Sequence, residues 1–333
     1  MAVTVKNVAL HAGVSTATVS RVLNDDPGIR PATRSRVIES IKITGYRMNK
    51  AARSLKTSRT GTVGLLVPEL VNDFFMTVAE GVEDILRTEG YGVILCNANE
   101  DVRYEADRIS LLIEQCVDGV IIIPTSSEGS HFSSLSDAGI PVVMVDRMVN
   151  GFKADAVLAD NINGAYSAMQ NLISTGCRRF GFIGGSQELS NFRERFEGFK
   201  RALSDYGIPV EKDIIKFGNV HIDSGYNLMK ELMSEANPPE NVFIANYFLQ
   251  VGATKFLIEN SSAKTASIHI AGFDDMSLSS ILGFSSITVS QPMMEMGRKA
   301  AEMLLERIEE QSALASAPPP PRLVRLKTTL IKH

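Results

Sequence analysis

From residue 61 onward the chain repeats one pattern: a short run of β-branched and apolar residues, followed by a stretch with helical spacing. The runs are TVGLLVP (62–68), YGVILC (91–96), DGVIIIP (118–124), PVVMVD (141–146), RFGFIGG (179–185), DIIKFG (213–218), NVFIAN (241–246) and SIHIAGFDD (267–275). Segments such as FFMTVAEGVEDILRTEG and AYSAMQNLISTG separate most of them. Strands that are apolar at nearly every position have no face to show water, so helices must cover both sides, and the sheet is parallel. Eight or more such strands over about 270 residues fit two doubly wound subdomains in series, with the split near Asp160 to Asn163.

Composition removes several classes. The 333 residues are 44% hydrophobic and 22% charged, as in a folded chain and unlike a disordered one. No uncharged apolar run reaches the roughly 20 residues of a membrane span, and MAVTVKNVALHAG has neither the basic start nor the apolar stretch of a signal peptide, so a cytoplasmic protein is expected. Cys96, Cys116 and Cys177 are far apart and form no disulfide framework or CxxC site; Cys116 reads as a buried filler. Histidines 11, 131, 221, 269 and 333 are scattered. No HExxH, GxSxG, P-loop or zinc spacing occurs, so no catalytic residue, metal or cofactor is expected, and the chain reads as no enzyme.

The net charge of −4 hides a division. Residues 1–60 hold eleven Lys/Arg against Asp25, Asp26 and Glu39, a balance of +8, which leaves −12 for the remainder. A basic head on an acidic body points to a polyanionic partner. Thr4 can cap a helix VKNVALHA that Gly13 stops, and Ser15 can cap a second, TATVSRVLN, with Val19, Val22 and Leu23 on its apolar face. Two short helices about a Gly-containing turn describe a helix-turn-helix. A third runs from Pro31 to Gly45, with Val37, Ile38 and Ile41 closing the core.

The wording of this head, TVKNVALHAGVSTATVSRVLN, closely resembles that of the LacI/GalR family of bacterial transcription regulators, and YRMNKAARSL resembles the family's hinge. The body follows the family's order, so the resemblance covers essentially the whole chain. It implies a small all-α helix-turn-helix DNA-binding head and an α/β periplasmic-binding-protein-like body of two doubly wound parallel-sheet subdomains. The expected domains are a head at 1–48, a hinge helix or linker at 49–60, and an effector-binding and dimerisation domain at 61–333. Its first subdomain would hold about 61–160 with 292–321, and its second about 161–291 with 322–333, the chain crossing three times. The last helix (293–311) would return to the first subdomain, and LVRLKTTLI would close the second after the stiff connector APPPP (317–321).

On DNA, Thr16 and Ala17 match the family's specificity-setting positions, and Arg21 can pair two bonds with guanine. Thr4, Ser15, Thr18, Ser20, Asn24 and Arg53 are expected at the duplex, mainly on phosphates. Leu55 matches the leucine that wedges between base pairs in the minor groove, while Met48 replaces the usual proline ahead of the hinge. In the body, ligands are expected beyond the carboxyl ends of the strands. The family's motifs place Phe74, Phe75, Asp146, Arg195, Asn246, Asp274 and Gln291 there, and the strand ends add Thr125, Ser126, Arg147 and Phe248. Two departures stand out: Tyr247 replaces an acid after Asn246, and GNVHID brings Val220 and His221 where an aromatic often stands.

Together these imply a DNA-binding regulator, a repressor of carbohydrate-utilisation genes, homodimeric on a palindromic operator and controlled by a sugar, sugar phosphate or sugar acid in the cleft. A purine- or nucleoside-responsive regulator with a corepressor is the alternative, and a sugar-binding protein without DNA function is the remote one. The sequence fixes neither the effector nor the sign of its action.

Overall fold

The structure is a computed structural model describing residues 3–23, 25–46, 59–261, 268–274, 286–313 and 319–332. The chain divides into two units, residues 1–60 and 61–333. Asn24, Met48, residues 49–58 of the hinge with Arg53 and Leu55, and Asp275 lie outside the described residues.

The first unit contains α1 (Val5–Ala12), α2 (Thr16–Leu23) and α3 (Pro31–Thr44). Gly13 and Gly45 end α1 and α3 in the left-handed conformation that glycine enters without cost. Val8, Ala9, Ala12, Val19, Val22 and Val37 form the small core. A hydrogen bond of 3.0 Å between His11 Nδ1 and Ser40 Oγ joins α1 to α3. Ile38, expected in this core, is 42% exposed: Val37 and Ser40 point inward, and one residue of rotation on a helix turns Ile38 about 100° away.

In the body, β1 (Thr62–Val67), β2 (Gly92–Asn97), β3 (Gly119–Ile122), β4 (Val142–Val145), β5 (Asp155–Ala159) and β11 (Leu323–Leu326) make one sheet. Its order is β11-β5-β4-β3-β1-β2, parallel throughout. The second sheet holds β6 (Phe180–Gly184), β7 (Ile215–Phe217), β8 (Asn241–Ile244), β9 (His269–Phe273), β10 (Ile287–Ser290) and β12 (Thr329–Lys332). Its order is β12-β10-β9-β8-β6-β7, with only β12 antiparallel. The first sheet packs with α4 (Asp73–Thr88), α5 (Val102–Glu114), α6 (Ser133–Asp137) and α11 (Met293–Ala313). The second packs with α7 (Asn161–Ser174), α8 (Ser190–Asp205), α9 (Ile222–Met233) and α10 (Tyr247–Glu259). Alternation along a strand fills both faces: Leu65 and Val67 join the core under α4 and α11, and Leu66 joins the one under α5. Where α4 and α11 cross, a Cβ on Gly81 would lie 2.2 Å from Met294 O and one on Gly297 2.1 Å from Val78 O, so only glycine permits this approach.

The chain crosses between the sheets after β5, after β10 and between β11 and β12. LVRLKTTLI therefore closes both sheets, whereas one strand in the second subdomain was expected. The direction follows from the path. β11 runs with its neighbours toward the cleft, crosses, and enters the second sheet from the cleft side, against the strands there. β5 and β10 fall outside the expected runs as well. Cys116, expected buried, is exposed at a positive φ of 52° just after α5, and Cys96 on β2 is the buried thiol.

Candidate functional site

The strand ends of both sheets meet at a cleft, where Asp146 and Asp274 stand at matching places, one residue past β4 and one past β9. Both have positive φ, 68° and 72°, and both N–H groups bond to the neighbouring strand, at Val157 O and Val289 O. Aspartate tolerates this left-handed conformation better than most residues, though it costs on the order of 1–3 kcal/mol. The kink turns each carboxylate inward.

Arg195 lies between them, 2% exposed, as large a buried cation as the body contains among its described residues. Its Nε donates to Asn161 Oδ1 at 2.9 Å, one terminal nitrogen donates to Ala245 O at 2.7 Å and to Asp274 at 3.4 Å, and the other is 4.0 Å from Asp146. The guanidinium stacks 3.8 Å from the centre of the Phe273 ring. Asp274 also accepts from Asn246 Nδ2 at 3.0 Å and from Gln291 Nε2. Asp146 accepts from Arg147 Nε at 3.1 Å and Asn191 Nδ2 at 2.8 Å. Because Asp146 belongs to one subdomain and Asn191 and Arg195 to the other, these contacts hold the two together across the cleft.

Phe74 and Phe75, on the first turn of α4, meet edge to face at 5.5 Å and 82°. Both are buried, both join the core of the first subdomain, and both border the deep end of the cleft with Asp146, Arg195, Asp274 and Gln291. Asn72 caps this helix through a bond from Phe74 N–H, and Asn246 caps α10 in the same way through Phe248 N–H. The deep end is a cavity of only about 30 Å³, while one of 330 Å³ opens toward the mouth, bordered by Thr125, Arg147, Ser186, Asn219 and His221. Two buried atoms, Gln291 Oε1 and Thr125 Oγ1, have no hydrogen-bond partner among the described residues, which is uncommon and fits groups that meet a ligand. At the mouth His221 Nε2 faces Glu100 at 3.5 Å, again across the cleft. Burial and the neighbouring Glu100 push the Glu69 carboxyl above its ordinary range, against the opposing pull of His221.

Of the expected ligand residues, Ser126 and Phe248 do not border these cavities. Ser126 Oγ bonds Glu128 O within its own loop, and Phe248 contributes its N–H to the Asn246 cap. Tyr247 packs against the apolar core of the first subdomain; burial, with nearby Asp73, raises its pKa. Asn191, Phe192 and Asn161 are not among the residues expected from the sequence; they sit on helix starts and matter only for what lies opposite them after folding. A larger hollow of about 430 Å³ beside Arg307 lies where β4 and β5 begin, at the other end of the strands, and Arg307 there is bonded to Asp155, Glu310 and two proline carbonyls.

In the head, Thr16, Ala17 and Arg21 are exposed on α2, and Thr18 and Ser20 are half-buried. Arg21 makes only a loose ion pair with Asp26 at 3.7 Å, which leaves its guanidinium able to turn outward. Ser15 Oγ caps α2 by accepting from Thr18 N–H at 3.1 Å and shares a 2.9 Å bond with the Thr18 hydroxyl, so the first duty of both is local. Thr4 donates both its hydroxyl and its N–H to Asn7 Oδ1. Among the described residues there is no cluster fit to hold a metal ion, and no helix long and apolar enough to cross a membrane.

Comparison with known families matches residues 4–49 to the bacterial regulatory proteins of the lacI family, and residues 60–323 to the periplasmic binding proteins and sugar binding domain of the LacI family. The chain belongs to the LacI family. This LacI-family regulator is 33% identical to the HTH-type transcriptional regulator RegA of Clostridium saccharobutylicum, over 93% of this chain and 94% of the relative. It is 32% identical to the ribose operon repressor of Halalkalibacterium halodurans, over 92% and 91%. A LacI-family transcriptional regulator from Enterococcus faecium, solved with bound ribose, is 30% identical and superposes with a TM-score of 0.71, covering 81% of this chain and 97% of that one. The chain is thus a DNA-binding regulator of transcription with the two-sheet body of its family.

Proposed function

We propose that this LacI-family member is a homodimeric, cytoplasmic repressor of carbohydrate-utilisation genes, and that a small sugar in the cleft sets its affinity for a near-palindromic operator. The observation that carries this is the constellation of Asp146, Arg147, Arg195, Asn246, Asp274 and Gln291 beside Phe74 and Phe75. Carboxylates accept from hydroxyls, guanidinium and amide groups donate to ring and hydroxyl oxygens, and aromatic faces take the apolar side of a sugar. A cavity of 330 Å³ suits a monosaccharide. The relatives named for ribose are a reason to try D-ribose first, and Arg147 and Arg195 keep sugar phosphates and sugar acids in view.

Arg21, Thr16 and Ala17 would read base edges in each half-site, and two-fold symmetry of the dimer demands two matching half-sites. Support for a second copy comes from the edge of the first sheet, where Leu95 of β2 is exposed with Leu70 and Tyr104 around a hollow of about 440 Å³. Sugar closing the cleft would rotate the first subdomains across that interface and pull apart the two hinge segments at 49–60. A coupling of about 1–3 kcal/mol is enough to switch occupancy.

The test is a thermal-shift screen of the full chain with D-ribose, D-ribose 5-phosphate, D-gluconate, cellobiose and adenosine, the last standing for the purine alternative. A ligand at 100 times its Kd adds about 2.7 kcal/mol, an evident shift in Tm. Arg195→Ala should lose that shift and keep binding to a DNA site selected by the wild type, and Arg21→Ala should do the reverse. A normal shift in Arg195→Ala would overturn the site, and a shift with adenosine alone would overturn the sugar.

A further inference from the structure

Two of the three crossings are stitched together by one carboxylate. Glu194 precedes Arg195 on α8 and turns to the crossings while Arg195 turns to the cleft. Both oxygens of Glu194 are bonded by Arg325 of β11, at 2.6 and 3.0 Å. This is the forked geometry that fixes orientation as well as distance. Arg325 also reaches Ala159 O at 3.4 Å, the last residue before the first crossing. Asn161, just after that crossing, donates to Glu194 at 3.2 Å and to Ala159 O at 3.3 Å, and its Oδ1 accepts Arg195 Nε. An unbroken chain of hydrogen bonds therefore runs from the third crossing to the first, and from there to the arginine between Asp146 and Asp274.

Arg325 belongs to the first sheet and Glu194 to the second subdomain, so the pair spans the moving boundary. Exposed ion pairs of long side chains usually contribute little. Here Glu194 is 17% exposed, both its oxygens are engaged, and the same carboxylate anchors Asn161. We propose that Glu194 and Arg325 form a clasp across the crossings between the subdomains that limits how far the cleft opens and, through Asn161, holds Arg195 in position. They are positioning residues, outside the cleft itself. The consequence for ligand affinity rests on the reading of the cleft as the effector site; the control of opening does not.

The experiment therefore uses no ligand. In the full chain, spin-labelled residues placed at exposed positions 103 and 223, on the two lips of the cleft, report the distance between subdomains by double electron–electron resonance. Glu194→Gln and Arg325→Gln should each shift the distribution to longer distances and raise the open population severalfold. The exchanged pair Glu194→Arg with Arg325→Glu should return it toward the wild-type distribution. Asp84→Asn, which breaks the Asp84–Arg298 pair inside the first subdomain, should leave it unchanged. Single variants with the wild-type distribution would overturn the clasp even if they melt earlier, because a surface bridge would do the same. An exchanged pair as open as the single variants would overturn it too, since the widening would then have another origin.

Discussion

The two subdomains share strand order, and their helices match closely enough to be compared position by position. α4 and α8 each follow the first strand of their sheet, and each is 16 residues long. Gly81 and Gly198 stand at the same step, each where a neighbouring helix comes within backbone contact. Six residues earlier, Phe75 and Phe192 also match, both buried and both bordering the cleft. Three residues earlier the match fails: α4 has Val78, packed in the apolar core, and α8 has Arg195. The far ends of the sheets differ in the opposite sense. Counted from Val157 and Val289, Asp155 of β5 corresponds to Ile287 of β10. Asp155 is buried and held by Arg307 and Arg322; Ile287 joins an apolar cluster. At these two matched places one copy thus has a buried cation at the cleft where the other has Val78, and one has a buried acid at the far end where the other has Ile287. The fold dictates neither location.

That contrast can be broken most sharply at Arg195. Arg195→Val makes α8 resemble α4 and leaves Asp146 and Asp274 without their shared cation. The expected loss is about 3–5 kcal/mol of unfolding free energy in urea, together with all calorimetric heat from the effector. If the variant is as stable as the wild type, Arg195 does not balance the two carboxylates.

Asp155 tests the other end. Burial alone would raise its pKa, but the bonds from Arg307 and Arg322 together more than reverse this and hold it below the ordinary value. A carboxyl lowered on folding adds stability above its unfolded pKa of about 3.9, and that stability is lost as pH falls through the folded value. Asp155→Asn should therefore cost on the order of 3 kcal/mol at pH 7, with the gap to wild type shrinking in acid below about pH 4. A gap independent of pH, measured by urea melts from pH 7 to pH 3, would contradict the assignment. The smallest expected effect separates the two asparagine caps. Asn72→Ala should lose about 1 kcal/mol, the ordinary value of a helix cap. Asn246→Ala should lose more, because Asn246 also donates to Asp274, and equal losses would argue against that second role.

Much of this was legible in the sequence, for physical reasons that also explain the gaps. Eight strands showed because each is a continuous apolar run beside a helix. β5 and β10 did not, since DAVLA follows β4 with no helix between, and ITVS alternates apolar with polar residues and forms no continuous run. Asp146 and Asp274 could be read from the strand-end rule, and Arg195 from the family motif. Asn161 and Asn191 could not: they sit on the starts of α7 and α8, and their importance depends on what lies opposite after folding. Ile38 was misplaced in the head because a three-residue apolar pattern does not fix helical phase to within one residue. The division of the closing segment between two sheets is a property of the path, which no local pattern encodes.

The backbone at Asp146 and Asp274 narrows what these positions can become. A left-handed φ is comfortable for glycine, asparagine and aspartate, and poor for branched or longer side chains. The two central places of the cleft therefore favour three letters: aspartate, its amide, or no side chain at all. Threonine, which would seem a mild replacement for a polar group, is branched at Cβ and would be strained at the end of a strand. A descendant of this protein that took up a new effector would vary the rim, at Thr125, Ser186, Asn219 or His221, before it altered these two points.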